Sequence, residues 1–138
     1  MKNSILAIII LFSSFAFGQE DTPKTPKIGI KVPKGETVVL NDVSIKFLEV
    51  VEDSRCPKDV DCIWAGRAIV KVAVAANGKT TEKTLIFGAV KPDEEKNTNL
   101  YSSANLAING LKLDPYPTSK SSGKDTGYTL LISKEKNN

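Results

Sequence analysis

The sequence predicts an all-β fold, either a single antiparallel β-sandwich (immunoglobulin-like) or a small barrel of about seven strands, with one disulfide. From Ile28 onward, short runs rich in Val, Ile, Thr and Phe are separated by Gly, Asn, Asp and Pro, and no amphipathic helical pattern interrupts them. Once an export signal is set aside, the chain of 138 residues suits one domain with its own core and leaves little room for two.

Residues 1–18 read as a signal peptide, because Lys2 provides a positive start, residues 5–12 an apolar run, and Ala16-Phe17-Gly18 a cleavage site. The apolar run is shorter than the ~20 residues that cross a bilayer as a helix, and no second run follows, so no transmembrane segment is expected. The first cysteine is Cys56, which leaves no acceptor for lipid attachment near the cleavage site. We therefore expect a soluble protein, secreted or periplasmic, whose mature chain begins at Gln19.

The rest of the chain divides by composition. Residues 19–27 hold charge, threonine and proline with nothing to bury, which predicts an extended leader that acts as a tether. We place the β-domain at residues 28–134 and a disordered tail at residues 135–138. The net charge of +3 is spread along the chain among carboxylates, so no nucleic-acid partner is expected.

The order of the strands follows from alternation and turn residues. The predicted strands are residues 28–32, 37–40, 43–51, 67–76, 80–87, 106–113 and 128–133. In the third, Ile45 and Phe47 alternate with Lys46 and the alternation then breaks at residues 48–51, which predicts a bulge or burial on both faces. Asn41-Asp42 before it is a weaker turn signal.

Asn77-Gly78 predicts a two-residue hairpin turn between the fourth and fifth strands, because both residues accept a positive φ. The row of Val70, Val72 and Val74 before it is expected to face the core. Asn109-Gly110 is either a turn or an irregularity within one strand. Two long polar connections, residues 91–103 and 115–126, are typical of solvated, mobile loops, and the alternative is that they bind a ligand.

Cys56 and Cys62 are expected to form a disulfide, because an exported chain oxidises its cysteines and the five residues between them close a small ring. A redox role is disfavoured, since oxidoreductase cysteines usually lie two residues apart at a helix start. The chain has no histidine, so two thiolates would lack partners for zinc or copper and no metal site is predicted. The flanking carboxylates do not have the spacing of a calcium loop.

Trp64, the single tryptophan, has two interpretations. It packs in the core beside the disulfide, or it is exposed as a recognition anchor. We favour the core, because Ile63, Ala65 and Ala68 nearby also look buried.

The sequence predicts no enzyme and no cofactor. The absence of histidine removes the commonest general base, and there is no nucleophile elbow, phosphate-binding loop or dinucleotide fingerprint. Adjacent carboxylates such as Glu94 and Glu95 are ordinary surface charge. A carboxylate-dependent enzyme acting on sugars would need two distant carboxylates to converge in one cleft.

Residues 53–66, DSRCPKDVDCIWAG, resemble the signature of small exported bacterial proteins of unknown function, with D-S-R-C-P, a spacer of four residues, then C-x-W-A-G. The resemblance extends to residues 43–52, to residues 111–117, which end in P-x-P, and to residues 127–132. It implies a β-domain with a disulfide and favours placing Asn109-Gly110 inside a strand. Many members of that group are lipid-anchored, and this chain lacks their anchor cysteine.

These observations lead to two functional hypotheses. The first is a secreted, non-enzymatic binding or structural module of the bacterial envelope, whose partner is an envelope or extracellular protein or a polymer. Its candidate binding loop comprises Arg55, Pro57, Lys58, Asp59 and Trp64. The second is an inhibitor of a secreted or periplasmic hydrolase that inserts the disulfide-closed loop, with Arg55 and Lys58, into an active site. In the alternative interpretation, Arg55 has no binding role and forms an ion pair with Asp53, Asp59 or Asp61.

Overall fold

The structure, a computed structural model, describes residues 28–122, 124, 125 and 127–136, so the predicted signal peptide and leader lie outside it. Its strands are β1 Ile28–Pro33, β2 Thr37–Leu40, β3 Val43–Asp53, β4 Arg67–Ala76, β5 Lys79–Gly88, β6 Asn99–Ser102, β7 Ala107–Asp114 and β8 Thr129–Glu135. Every predicted strand is confirmed with small shifts at its ends. The described residues include no helix long and apolar enough to cross a bilayer.

The sequence does not predict β6, because this strand lies within the polar connection of residues 91–103. It has four residues, and only Leu100 among them is buried. A single inward side chain gives too little alternation to identify a strand from the sequence.

The strands form two four-stranded antiparallel sheets, in the orders β1-β8-β7-β6 and β2-β3-β4-β5. The predicted all-β sandwich is therefore confirmed, and the barrel alternative is wrong because the sheets are separate. The core lies between them, where Phe47 and the predicted valine row of β4 face Leu130 and Ile132 of β8. Each of these side chains is buried, as alternation requires.

Local geometry follows the turn and bulge residues. Asn77 and Gly78 have φ values of 52° and 73°, which confirms the hairpin between β4 and β5. Asn41 has a φ of 55° in the β2–β3 turn. β3 shifts register after Phe47 and again after Val50, so its broken alternation reflects bulges. Asn109-Gly110 lies inside β7, where the register shifts after Gly110.

The sandwich has two distinct ends. At one end, β3 and β4 are joined by the disulfide loop, residues 54–66, and β7 and β8 are joined by residues 115–128, here called the β7–β8 loop. We call this end the loop pole. At the opposite end, the far pole, Lys134 pairs with Ile28 in β1 and its Nζ donates to Asn41 Oδ1 at 2.8 Å. The first described residue is therefore remote from the disulfide loop.

Candidate functional site

The predicted disulfide between Cys56 and Cys62 is confirmed. Backbone hydrogen bonds fix the loop further: Ser54 N donates to Arg67 O at 2.8 Å and Cys56 N to Ala65 O at 3.0 Å. In the loop-entropy treatment, a ring this small contributes about 2 kcal/mol by restricting the unfolded chain. The loop is consequently held both covalently and by its own backbone.

Gly66 allows the backbone at the two ends of the disulfide loop to lie in direct contact. Its φ is 71°, and a Cβ there would overlap the Ser54 carbonyl oxygen and lie 2.7 Å from the Ser54 carbonyl carbon and 2.9 Å from Arg55 Cα. Only glycine fits both the backbone conformation and the space. The glycine of the W-A-G segment therefore has a packing role.

Arg55, one of the candidate binding residues, lies in the disulfide loop with its guanidinium directed at β7 and away from solvent. Its side chain is buried, and its Nε and Nη2 donate to the Asp53 carboxylate at 2.8 and 2.7 Å. Nη1 donates to Leu113 O at 2.7 Å and Nη2 to Pro115 O at 3.0 Å. The alternative in which Arg55 pairs with Asp53 is confirmed. The guanidinium holds the disulfide loop against the end of β7.

Two tyrosines complete this cluster. The guanidinium carbon of Arg55 lies 4.9 Å from the centre of the Tyr116 ring, a cation–π contact, and the Tyr128 hydroxyl donates to Asp53 Oδ2 at 3.0 Å. We call Asp53, Arg55, Tyr116 and Tyr128 the arginine hub. Tyr116 follows Pro115, whose peptide bond with Asp114 is cis.

The arginine hub sets the ionisation of its members. Burial would raise the pKa of Asp53, but the hydrogen bonds and charge of Arg55, with the hydrogen bond from Tyr128, outweigh burial and lower that pKa below its ordinary value. Burial, and then the hydrogen bond to Asp53, raise the pKa of Tyr128. Both groups are therefore held in their usual charge states, carboxylate and neutral phenol.

The β7–β8 loop is docked on the disulfide loop. Lys58 N donates to Pro117 O at 3.1 Å, and the Asp59 carboxylate accepts hydrogen bonds from Ser119 N at 2.7 Å and from its hydroxyl. The hydrogen bonds from Ser119 lower the pKa of Asp59. The sequence does not indicate this contact between the loops, because it joins residues 60 positions apart, which no local pattern signals.

Trp64 is exposed, so the preference for a core position is wrong. Its side chain is 57% exposed, Val60 is 45% exposed and Ile63 is fully exposed. Ala65 is exposed as well, and of the neighbours expected in the core only Ala68 is buried. The backbone of residues 62–65 lies outside the sheets, so its side chains have no facing layer to enter. We call Val60, Ile63 and Trp64 the apolar tip.

Exposed lysines lie on both loops of the loop pole. Lys58 lies in the disulfide loop, and Lys120 and Lys124 lie in the β7–β8 loop docked against it. All three are exposed, and none forms an ion pair within the described part of the chain. Pro57, the remaining predicted loop residue, is half-buried and accepts a hydrogen bond from Val60 N at 3.2 Å.

A cleft of about 590 Å³ lies beside the arginine hub, between the ends of β5 and β7. Phe87 and Gly88 line it on one side, and Leu111 and Tyr116 on the other. It exists because β6 pairs with β7 only over Ala107–Asn109, so the second half of β7 has no strand on that side. The sequence does not indicate this cleft, because the cleft depends on where β6 ends.

Arg67 anchors the connection between β5 and β6 next to this cleft. Its guanidinium donates to both carboxylate oxygens of Glu52 at 3.2 Å and also pairs with Glu94. The hydrogen bond from Arg67 lowers the pKa of Glu52. Within the described residues, no cluster of three or more His, Cys, Asp or Glu side chains has the geometry to hold a metal ion.

The sandwich thus presents an apolar tip and, on the same two docked loops, three exposed lysines, and a disulfide and a buried arginine fix these loops in place. Comparisons of the chain with protein-family models, with curated proteins and with solved structures gave no match.

Proposed function

We propose that this protein is a secreted, non-enzymatic binding module that engages its partner through the apolar tip. The observation that carries this proposal is the exposure of Ile63 and Trp64 on a loop that is otherwise tightly held. Exposed apolar side chains that cluster on a protein surface commonly mark a contact site. Export is supported by the signal-like residues 1–18 and by the disulfide, which is typical of oxidising compartments.

Rigidity suits this function. The disulfide, the arginine hub and the Asp59–Ser119 hydrogen bonds fix the loop before any partner arrives, so little conformational entropy is lost on binding. Tryptophan is also enriched among the residues that contribute most to binding energy. The tip therefore combines a preorganised backbone with an effective anchor.

The ionisation of the carboxyl groups supports a non-enzymatic role. Hydrogen bonds or ion pairs lower the pKa of Glu52, Asp53, Asp59 and Asp125. A carboxyl group that acts as a general acid near neutral pH needs a raised pKa instead. These four carboxyl groups are therefore unsuited to act as general acids near neutral pH.

The hydrolase-inhibitor hypothesis depended on Arg55 and Lys58 as a basic pair. Because Arg55 is buried against Asp53, only Lys58 remains on the surface to enter an active site. The exposed residues that remain are mainly apolar. We therefore favour contact with an apolar or interfacial partner over inhibition of an enzyme.

Site-specific photo-crosslinking tests the proposal. A photoreactive phenylalanine derivative is placed at Ile63 in the apolar tip or, as the matched control, at Ile28, which is 66% exposed at the far pole. Irradiation in the native envelope and culture medium is expected to give adducts from position 63 and not from position 28. Equal adducts from both positions, or none from either, would contradict the proposed binding function.

A further inference from the structure

We infer that the apolar tip contacts a phospholipid bilayer surface that carries anionic headgroups, an inference that rests on the binding function proposed above. Three features of the molecule support this partner: the exposed apolar side chains of the tip, the lysines on the two docked loops, and the ion pairs that neutralise nearby carboxylates.

The tip has the composition of an interfacial anchor. Ile63 is fully exposed and Val60 is close to half exposed, so both side chains are available at the surface. Trp64 lies beside them, and its indole ring suits the headgroup level of a bilayer, where an apolar ring and a polar N–H are both accommodated. A deformable lipid surface accepts such side chains without needing a complementary pocket.

The flanking cations favour lipid over protein. Protein interfaces are enriched in arginine and depleted in lysine, whereas lysine extends its ammonium group to headgroups while its methylene stem stays in the apolar region. On the disulfide loop and the β7–β8 loop docked on it, the exposed cations are Lys58, Lys120 and Lys124, and the arginine of the disulfide loop is buried. Each lysine close to an anionic membrane strengthens binding by about fivefold.

Two of the nearby carboxylates are neutralised by ion pairs. Asp53 is paired with Arg55, Asp125 is paired with Lys34, and the Asp59 carboxylate accepts hydrogen bonds from Ser119. Asp61 is the one carboxylate of the disulfide loop without a partner in the described part of the chain. Asp59 keeps its negative charge, because Ser119 is a neutral donor, so Asp59 and Asp61 both oppose binding to an anionic surface. Asp61 makes no such structural contact, and its neutralisation is predicted to strengthen that binding.

The chain contains one tryptophan, and that tryptophan is in the tip, so its fluorescence reports directly on insertion. The naturally processed protein is titrated with vesicles made of equal parts phosphatidylcholine and phosphatidylglycerol, and with vesicles of phosphatidylcholine alone. We expect a blue shift of the emission and co-sedimentation with the anionic vesicles, both weakened by salt. An unchanged emission together with no co-sedimentation would overturn the inference.

Matched substitutions locate the contact. Ile63→Ser is compared with Ile28→Ser, and Val60→Ser with Val39→Ser, since Ile28 and Val39 are exposed at the far pole. Affinity for the anionic vesicles is expected to fall about tenfold with Ile63→Ser and to stay unchanged with Ile28→Ser or Val39→Ser. Asp61→Asn is expected to raise it about fivefold. Equal losses at the two poles would overturn the inference.

The two proposals fail in different ways. If the vesicles do not bind but crosslinks still form at position 63, the binding function stands and the lipid partner is wrong. A protein adduct at that position would identify the alternative partner class. If vesicle binding and position-specific crosslinks are both absent, the binding function itself is wrong.

Discussion

Arg55 and Asp53 form a bidentate ion pair whose side chains are only 6% and 8% exposed. Asp53 is the last residue of β3, and Arg55 lies two residues later. The Arg55 guanidinium donates a hydrogen bond to the Leu113 carbonyl in β7, which belongs to the opposite sheet. The pair therefore joins the two layers of the sandwich at the loop pole. Two residues that are close in sequence connect segments 58 positions apart.

Replacing Arg55 should destabilise the protein far more than replacing Lys58. Arg55→Ala leaves the buried Asp53 carboxylate unpaired, a change that typically costs about 3–5 kcal/mol. Arg55→Lys is expected to destabilise the protein only slightly less than Arg55→Ala does. An ammonium group cannot replace the planar guanidinium that donates to Asp53 and to two backbone carbonyls. Chemical denaturation measures both variants.

Lys58→Ala serves as the control for Arg55, since Lys58 is exposed and is expected to change stability by no more than about 0.5 kcal/mol. If Arg55→Ala and Lys58→Ala had similar free energies of unfolding, the hub would not be the main anchor of the loop pole.

Acid should weaken the protein partly through Asp53. Its pKa in the folded state lies below the ordinary 3.8, so its stabilising effect is complete above that value and is lost as pH falls through the lower folded-state pKa. Glu52, Asp59 and Asp125 act in the same direction. Denaturation measured from pH 6 to about pH 2 should show that the free energy of unfolding decreases as the pH decreases.

The contribution of Asp53 is isolated by Asp53→Asn, which should be less stable than the parent at pH 6 and should lose less stability on acidification. A parallel pH profile for parent and variant would show that the Asp53 carboxylate does not carry this dependence. Tyr128 donates one of the hydrogen bonds that lower the pKa of Asp53, so Tyr128→Phe is expected to reduce the loss of stability in acid. Because the pKa of Tyr128 itself is raised, the same variant is expected to alter the alkaline limb.

Gly66→Ala is predicted to be severely destabilising, and Gly78→Ala only mildly so. Both glycines have a positive φ, 71° and 73°, so both variants bear the strain of a left-handed alanine, about 1 kcal/mol. Gly66 adds an overlap with the Ser54 carbonyl, whereas nothing lies within 4 Å of a Cβ at Gly78. The difference in melting temperature measures this overlap. Equal losses would mean that the disulfide loop adjusts freely.

Sequence patterns predicted the parts of this fold that local chemistry determines. Alternation placed Val70, Val72 and Val74 in the core, and Asn77-Gly78 specified its hairpin because positive φ is a property of those residues. The cysteine spacing predicted the disulfide. The burial of Arg55 was not predictable in this way, because it depends on where the end of β7 lies. The exposure of Trp64 was not predictable either, because it depends on residues 62–65 lying outside both sheets.

Trp64 should behave in solution as an exposed tryptophan. At 57% exposure, its emission is expected near that of a free indole in water, and acrylamide should quench it efficiently. Since it is the only tryptophan, no second emission obscures the result. A blue-shifted, poorly quenched emission from dilute monomeric protein would contradict the exposed tip and restore the core position.

Loss of the disulfide should weaken the protein without abolishing the fold. Cys56→Ser combined with Cys62→Ser removes a covalent ring worth about 2 kcal/mol, but the Arg55 bonds to Asp53, Leu113 and Pro115 remain. We expect the double variant to keep its β-sheet circular dichroism and to unfold at a lower denaturant concentration, as should the reduced parent protein. Arg55→Ala in the reduced background should remove both anchors and release the loop, with the loss exceeding either single effect. A double variant that is already unfolded would show that the disulfide, and not the arginine hub, holds the loop pole together.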